Sequence, residues 1–174
     1  MIASICLFIN KLTQKNQLLC DLSIPFSLYT IGSVLLLFEL GSHPPFPYNW
    51  EQYTIWHFLN FWDHPSWDIF RLTDGVITDG GKSPLIVLPV WFAFKLGGIG
   101  LAQLRIPMVL LTAASIPVFW FIARRISGTV IATLATTLLI ISPVFLLYGR
   151  TATNVGVSLL PALLTVYTLL RFLQ

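Results

Sequence analysis

Charge is the scarcest commodity in this chain. Only 10% of its 174 residues are charged, whereas 56% are hydrophobic, and mean hydropathy is +0.80. A soluble domain carries about 25% charged residues, and one of this size could not bury so much apolar surface. Acid is scarcer still: there are seven Asp and Glu residues. Only Asp21 lies outside the stretch from Glu39 to Asp79, and none follows it. A transporter built on carboxylates deep within C-terminal helices is therefore disfavoured. The two cysteines, Cys6 and Cys20, have no metal-ligand spacing and lie where a structural disulfide is not expected. The short apolar start precedes Lys11 and Lys15, the reverse of the order in a secretory signal peptide. A formal charge of +3 gives no reason to expect a nucleic-acid partner.

Uncharged runs are plentiful. They cover Leu22 to Phe38, Ile106 to Ala123, Ile126 to Gly149 and Thr151 to Leu170. Each approaches the ~20 residues that cross a hydrocarbon core ~30 Å thick. Helices are expected, because a lipid-exposed backbone must satisfy its own hydrogen bonds. The expected fold class is all-α integral membrane, a single domain over 1–174. Its roughly four transmembrane helices would lie near 22–40, 105–123, 129–148 and 153–171. An extracytoplasmic loop over about 41–104 would bear amphipathic juxtamembrane helices. Pro117, Pro143 and Pro161 fall inside these spans, where kinks are tolerated.

The stretch Pro84 to Gly97 is apolar but short, and it carries Lys95. Kept out of the count of spans, it leaves Lys11, Lys15, Arg124, Arg125 and Arg171 on one side and the acidic loop on the other, as the positive-inside rule prefers. The N terminus would then be cytoplasmic, with 84–97 packed at the outer membrane surface. A fifth crossing through Leu104 is the alternative.

The loop gathers the titratable side chains, including His43, His57 and His64, and four of the six tryptophans. Chemistry is expected there, although a loop outside lipid is also simply where polar residues can reside. Asn49 with Gln52 resembles a capping box for a helix over about 50–63. That helix would place Asn49, Tyr53, His57, Asn60 and His64 on one face. Ile55, Leu59 and Trp62 would give it an apolar flank suited to an interface. His57 and His64 lack an evident third ligand, so no metal site is expected.

Gly81-Lys82-Ser83-Pro84-Leu85 resembles the Gly-Lys-Pro-Pro-Leu segment of membrane glycosyltransferases that use polyprenyl-phosphate sugars. These are the protein O-mannosyltransferases and the aminoarabinose transferases that modify lipid A. In the same order, Arg105 opens a span, and Arg124-Arg125-Ile126-Ser127-Gly128 resembles their Arg-Arg-x-x-Gly cytoplasmic turn. Ser142-Pro143 and Tyr148-Gly149-Arg150-Thr151-Ala152 resemble their Ser-Pro and Arg-x-Ala elements. The resemblance covers their N-terminal third. It implies a GT-C fold and metal-independent, inverting sugar transfer at the periplasmic or luminal face, without a cofactor. It also implies a multi-pass protein of a bacterial plasma membrane, with the bilayer and a polyprenyl-phosphate-linked sugar as partners.

Within the family an Asp-Glu pair opens the first loop helix. Here Asn49-Trp50-Glu51-Gln52 supplies Glu51 alone, the candidate catalytic base, though a charge in a first helical turn is also stabilising. Lys82 and Arg150 are the candidate contacts for the donor phosphate, with Arg105 a third. Tyr53, His57 and Asn154 are candidate acceptor-site residues, Asn154 standing where the family often has an aspartate. The chain ends soon after a span, so a second polypeptide supplying further helices is one expectation. A truncated or non-catalytic membrane subunit packed against another protein is the alternative function.

Overall fold

The computed structural model describes residues 22–42, 51, 84–152 and 154–173, and every regular element among them is helical. In chain order these are α1 (Leu22–Leu37), α2 (Pro84–Gly97), α3 (Leu101–Ile141), α4 (Pro143–Arg150) and α5 (Asn154–Phe172). Glu51 is helical too. The remainder of the expected 50–63 helix, with Tyr53 and His57, lies outside the described residues, as does Lys82.

The longest element is a hairpin. Gly128 takes φ 82° and ψ 172°, a combination essentially confined to glycine. The indole Nε1 of Trp120 donates to Thr133 Oγ1 at 3.2 Å across a separation of 13 residues. In an unbroken helix that separation spans ~20 Å, so the chain must fold back between them. A Cβ added at Gly32 would meet both Ile116 and Ile140, side chains ~36 Å apart along a straight helix. The expected Arg124–Gly128 turn is therefore where the reversal occurs, and the Arg124 guanidinium lies 5.1 Å from the Trp120 ring centre beside it. Among the described residues, Leu101–Ile141 is the one element long and apolar enough to cross a membrane by length and composition. Its first limb, 101–127, supplies ~40 Å of that length.

The second limb runs into α4 through one irregular residue. Pro143 disfavours helical geometry at its predecessor, and Ser142 accordingly has φ −63° and ψ 126°. Ser142 N–H still donates to Leu139 O at 3.1 Å, and Leu146 N–H to Ser142 O at 3.0 Å. Pro143 thus begins a new helix instead of kinking one already under way.

Two apolar clusters hold the bundle. Leu28, Leu36 and Leu40, with buried Gly32 between them, place the i, i+4 face of α1 against Val109, Ala113, Ile116 and Trp120 of α3. From the returning chain come Ala132, Ile140 and Phe145. In the second cluster Val90 and Phe94 of α2 meet Leu104, Met108, Ala152 and Val157. Close approach depends on glycine at Gly149, where an added Cβ would lie 2.8 Å from Thr112 Cγ2 and 2.9 Å from Leu36 Cδ2.

Six threonine hydroxyls inside the helices are satisfied locally. Thr30, Thr133, Thr136, Thr137, Thr165 and Thr168 each donate a hydroxyl to the carbonyl four residues earlier, at 2.7–2.9 Å. Large apolar side chains meanwhile face outward all around: Phe26, Phe38, Phe92, Leu110, Leu134, Leu138, Leu164 and Phe172 are among those exposed.

Candidate functional site

The polar groups converge at one end of the bundle, where α1 stops, α3 begins and α4 ends. Glu51 and Arg105 are both fully buried, at 0% exposure. Arg105 donates from Nε to Glu51 Oε1 and from Nη2 to Glu51 Oε2, both at 2.9 Å. This is the bidentate fork that a guanidinium makes with a carboxylate. Its Nη1 donates to Leu40 O at 3.0 Å, and the Ala152 backbone N–H donates to Glu51 Oε1 at 2.9 Å. One ion pair therefore ties together the end of α1, the residue from the first loop, the first turn of α3 and the turn after α4. Residues 54 and 101 positions apart meet there.

Arg150 occupies the same end. Its Nη2 donates to Phe38 O, while its buried Nε has no hydrogen-bond partner among the described residues. Burial lowers the Arg150 guanidinium below its ordinary pKa, and the charge of Arg105 adds to this; the charge of Glu39 acts in the opposite direction. Arg150 thus feels the charges of both Arg105 and Glu39.

A family model for dolichyl-phosphate-mannose-protein mannosyltransferases matches residues 81–174. The chain belongs to that family. The matched stretch contains all of α2 to α5, with Lys82, Arg105 and Arg150. No curated protein and no solved structure matches the chain.

Three expected residues of this family member's site are brought together: Glu51, Arg105 and Arg150. Lys82, Tyr53 and His57 lie outside the described residues, and Asn154 opens α5. Both Glu51 oxygens are bonded and no part of the residue is exposed. Arg105 donates from Nε, Nη1 and Nη2 to protein acceptors. Sequence reading did not reach Glu39, whose φ is 48°, nor the Leu40 carbonyl and Ala152 amide that complete the pair. The one available signal was that Glu39 is the first charge after a long uncharged run.

The described cavities do not coincide with these arginines. The larger groove, about 710 Å³, lies between Leu22, Pro25, Phe26 and Tyr29 of α1 and Ala114, Pro117 and Phe121 of α3, toward the Gly128 end. A smaller one of about 240 Å³ adjoins Thr112, Ser142, Tyr148, Gly149 and Gly156.

Proposed function

We propose that this chain forms the donor-binding part of a multi-pass membrane glycosyltransferase of GT-C type. The sugar moves from a polyprenyl phosphate to an acceptor hydroxyl, with inversion and without a metal, on the extracytoplasmic side. One observation carries the reading. In a family whose name specifies a lipid-phosphate sugar donor, the described cations outside the Gly128 turn include two arginines gathered at one end of an apolar bundle. One of them, Arg150, retains a buried, unsatisfied Nε–H. A phosphate oxygen would satisfy that donor with a charge-assisted bond.

The exposed apolar exterior and the internally bonded threonines support a lipid setting, since lipid offers neither water to backbone groups nor a penalty to outward leucines. A phosphate is already a competent leaving group, so the protein needs only to neutralise it, hold the acceptor and accept one proton. Arg150 and Lys82 fill the first role. Tyr53, His57 and Asn154 are the candidates for holding the acceptor. Glu51 and Arg105 hold the turn that carries Arg150.

The test is transfer of labelled sugar from a polyprenyl-phosphate donor by the full chain in membranes with EDTA present, for the unaltered protein and Arg150→Ala. A charge-assisted bond is worth about 1.5–3 kcal/mol, so the donor KM should rise roughly 10- to 150-fold. An unchanged donor KM would remove Arg150 from the phosphate site. Absence of transfer by the unaltered chain would favour the non-catalytic subunit instead.

A further inference from the structure

The larger groove, of about 710 Å³, lies toward the end of the bundle away from Arg105 and Arg150. Its lining sets large side chains, Phe26, Tyr29 and Phe121, beside the short ones of Pro25, Ala114 and Pro117. The short side chains leave the space between α1 and α3. Phe26 is 69% exposed, so the groove opens onto the same apolar exterior as the outward-facing leucines. Leu22 to Tyr29 and Ala114 to Phe121 each measure ~11 Å along a helix. That is most of one leaflet's ~15 Å share of a hydrocarbon core ~30 Å thick. A volume of this size is within the ~300–1,000 Å³ of ligand sites, and so apolar a lining suits hydrocarbon.

The groove ends at cations. Ala114, Pro117, Phe121 and Arg125 follow one another at helical spacing, so Arg125 continues the stripe of α3 that lines the groove. Arg125 is exposed. The Phe121 ring stands edge-on to Trp120 with centroids 5.2 Å apart, and the Arg124 guanidinium lies 5.1 Å from the Trp120 ring centre. Both arginines therefore stand about one turn beyond Phe121, ~5–6 Å further along the axis. A guanidinium carries five N–H donors, so an arginine stacked on an indole can still donate to a phosphate. Glu39 and Glu51, the described carboxylates, belong to the opposite end. Asp21 is the acid that sequence sets beside Leu22, against the two arginines.

We propose that this groove and the Arg124–Arg125 pair bind an anionic phospholipid of the surrounding bilayer. Its phosphate lies on the guanidiniums, and its acyl chains run along Phe26, Tyr29, Pro117 and Phe121. The inference rests on the membrane setting of the chain and not on sugar transfer. Charge complementarity selects the occupant: a negative headgroup is attracted to paired guanidiniums, whereas a zwitterionic one brings its own cation to them. The sugar donor is a different ligand, since Arg150 belongs with Arg105, and Arg105 and Phe121 are ~24 Å apart along α3. Leu28 is the first α1 residue of the buried apolar core, and the bound chains cover the turns that precede it.

The experiment purifies the full chain from vesicles of equal parts phosphatidylcholine and phosphatidylglycerol and counts the retained lipids by native mass spectrometry. An arginine near the surface favours anionic lipid about fivefold. The unaltered protein should therefore retain one phosphatidylglycerol over phosphatidylcholine by roughly 25- to 30-fold. Arg124→Gln with Arg125→Gln should lose that preference, and the paired lysine substitutions should keep most of it. Phe26→Ala should weaken retention while leaving the preference for the charged headgroup. Arg171→Gln, in the last turn of α5 and outside the groove lining, should change neither. An unchanged preference in the double glutamine variant overturns the site. So does an equal loss in Arg171→Gln, which would make the effect a diffuse field of the whole end. Retention untouched by Phe26→Ala removes the groove and overturns the proposal too. A chain that fails to enter vesicles of either lipid overturns the membrane setting along with the site.

Discussion

Replacing Arg105 by methionine removes the guanidinium from a site of 0% exposure and leaves Glu51, still bonded by the Ala152 amide, without its counter-charge. Two charge-assisted bonds to the carboxylate and one bond to the Leu40 carbonyl are lost together. Breaking a buried pair from one side costs about 3–5 kcal/mol, because the remaining charge keeps its desolvation penalty without its partner. Replacing both members by apolar residues of similar volume avoids that penalty and is often neutral. Here Arg105→Met with Glu51→Leu still removes the bond to the Leu40 carbonyl and the bond from the Ala152 amide. Each unsatisfied group costs about 1–3 kcal/mol, partly relieved if the freed turn relaxes. The double variant should therefore be no less stable than Arg105→Met alone, and well short of the sum of the two single losses. Equilibrium unfolding by SDS titration in mixed micelles, followed by tryptophan fluorescence, measures all four corners of the cycle. The reasoning fails if Arg105→Met lies within ~0.5 kcal/mol of the unaltered protein, or if the two single losses simply add.

Two backbone predictions concern the bundle itself. Gly128→Ala should cost about 1–3 kcal/mol in the same titration; an added Cβ there meets nothing within 4 Å, so any loss is conformational, and an unchanged midpoint would remove the special role of the turn. Gly156→Ala should be worse than Gly32→Ala: its Cβ would sit 2.7 Å from the Tyr148 carbonyl oxygen, a backbone atom, whereas at Gly32 the nearest atom is the terminal methyl of Ile116, which can rotate away. Overpacking of the first kind costs about 1–3 kcal/mol, and equal stabilities of the two variants would contradict the packing described.

The helices were legible because their signal is local. Long uncharged runs announce α1, the limbs of α3 and α5, and Arg124–Gly128 announces a turn whose glycine does adopt a conformation other residues avoid. Pro143 falls inside an uncharged run, yet Ser142-Pro143 marks a boundary between two helices, since the residue before proline is pushed out of helical geometry. The identity of the polar residues at the site was legible too, but their partners were not. Nothing in the spacing of Glu51 and Arg105 indicates that they pair, because a contact across 54 residues is set by how α1, α3 and the turn after α4 pack. In sequence Glu39 is simply the first charge after an uncharged run, and its left-handed backbone lies between carbonyls held by two arginines distant in sequence.

The central claim is that this chain moves a sugar from a lipid phosphate. Incubating membranes containing the full chain with a radiolabelled polyprenyl-phosphate sugar, and following label into acceptor alongside release of polyprenyl phosphate, tests it directly. The account predicts equimolar appearance of glycosylated acceptor and free polyprenyl phosphate. Donor that remains intact over the time in which an authentic transferase of this family consumes it would contradict the account.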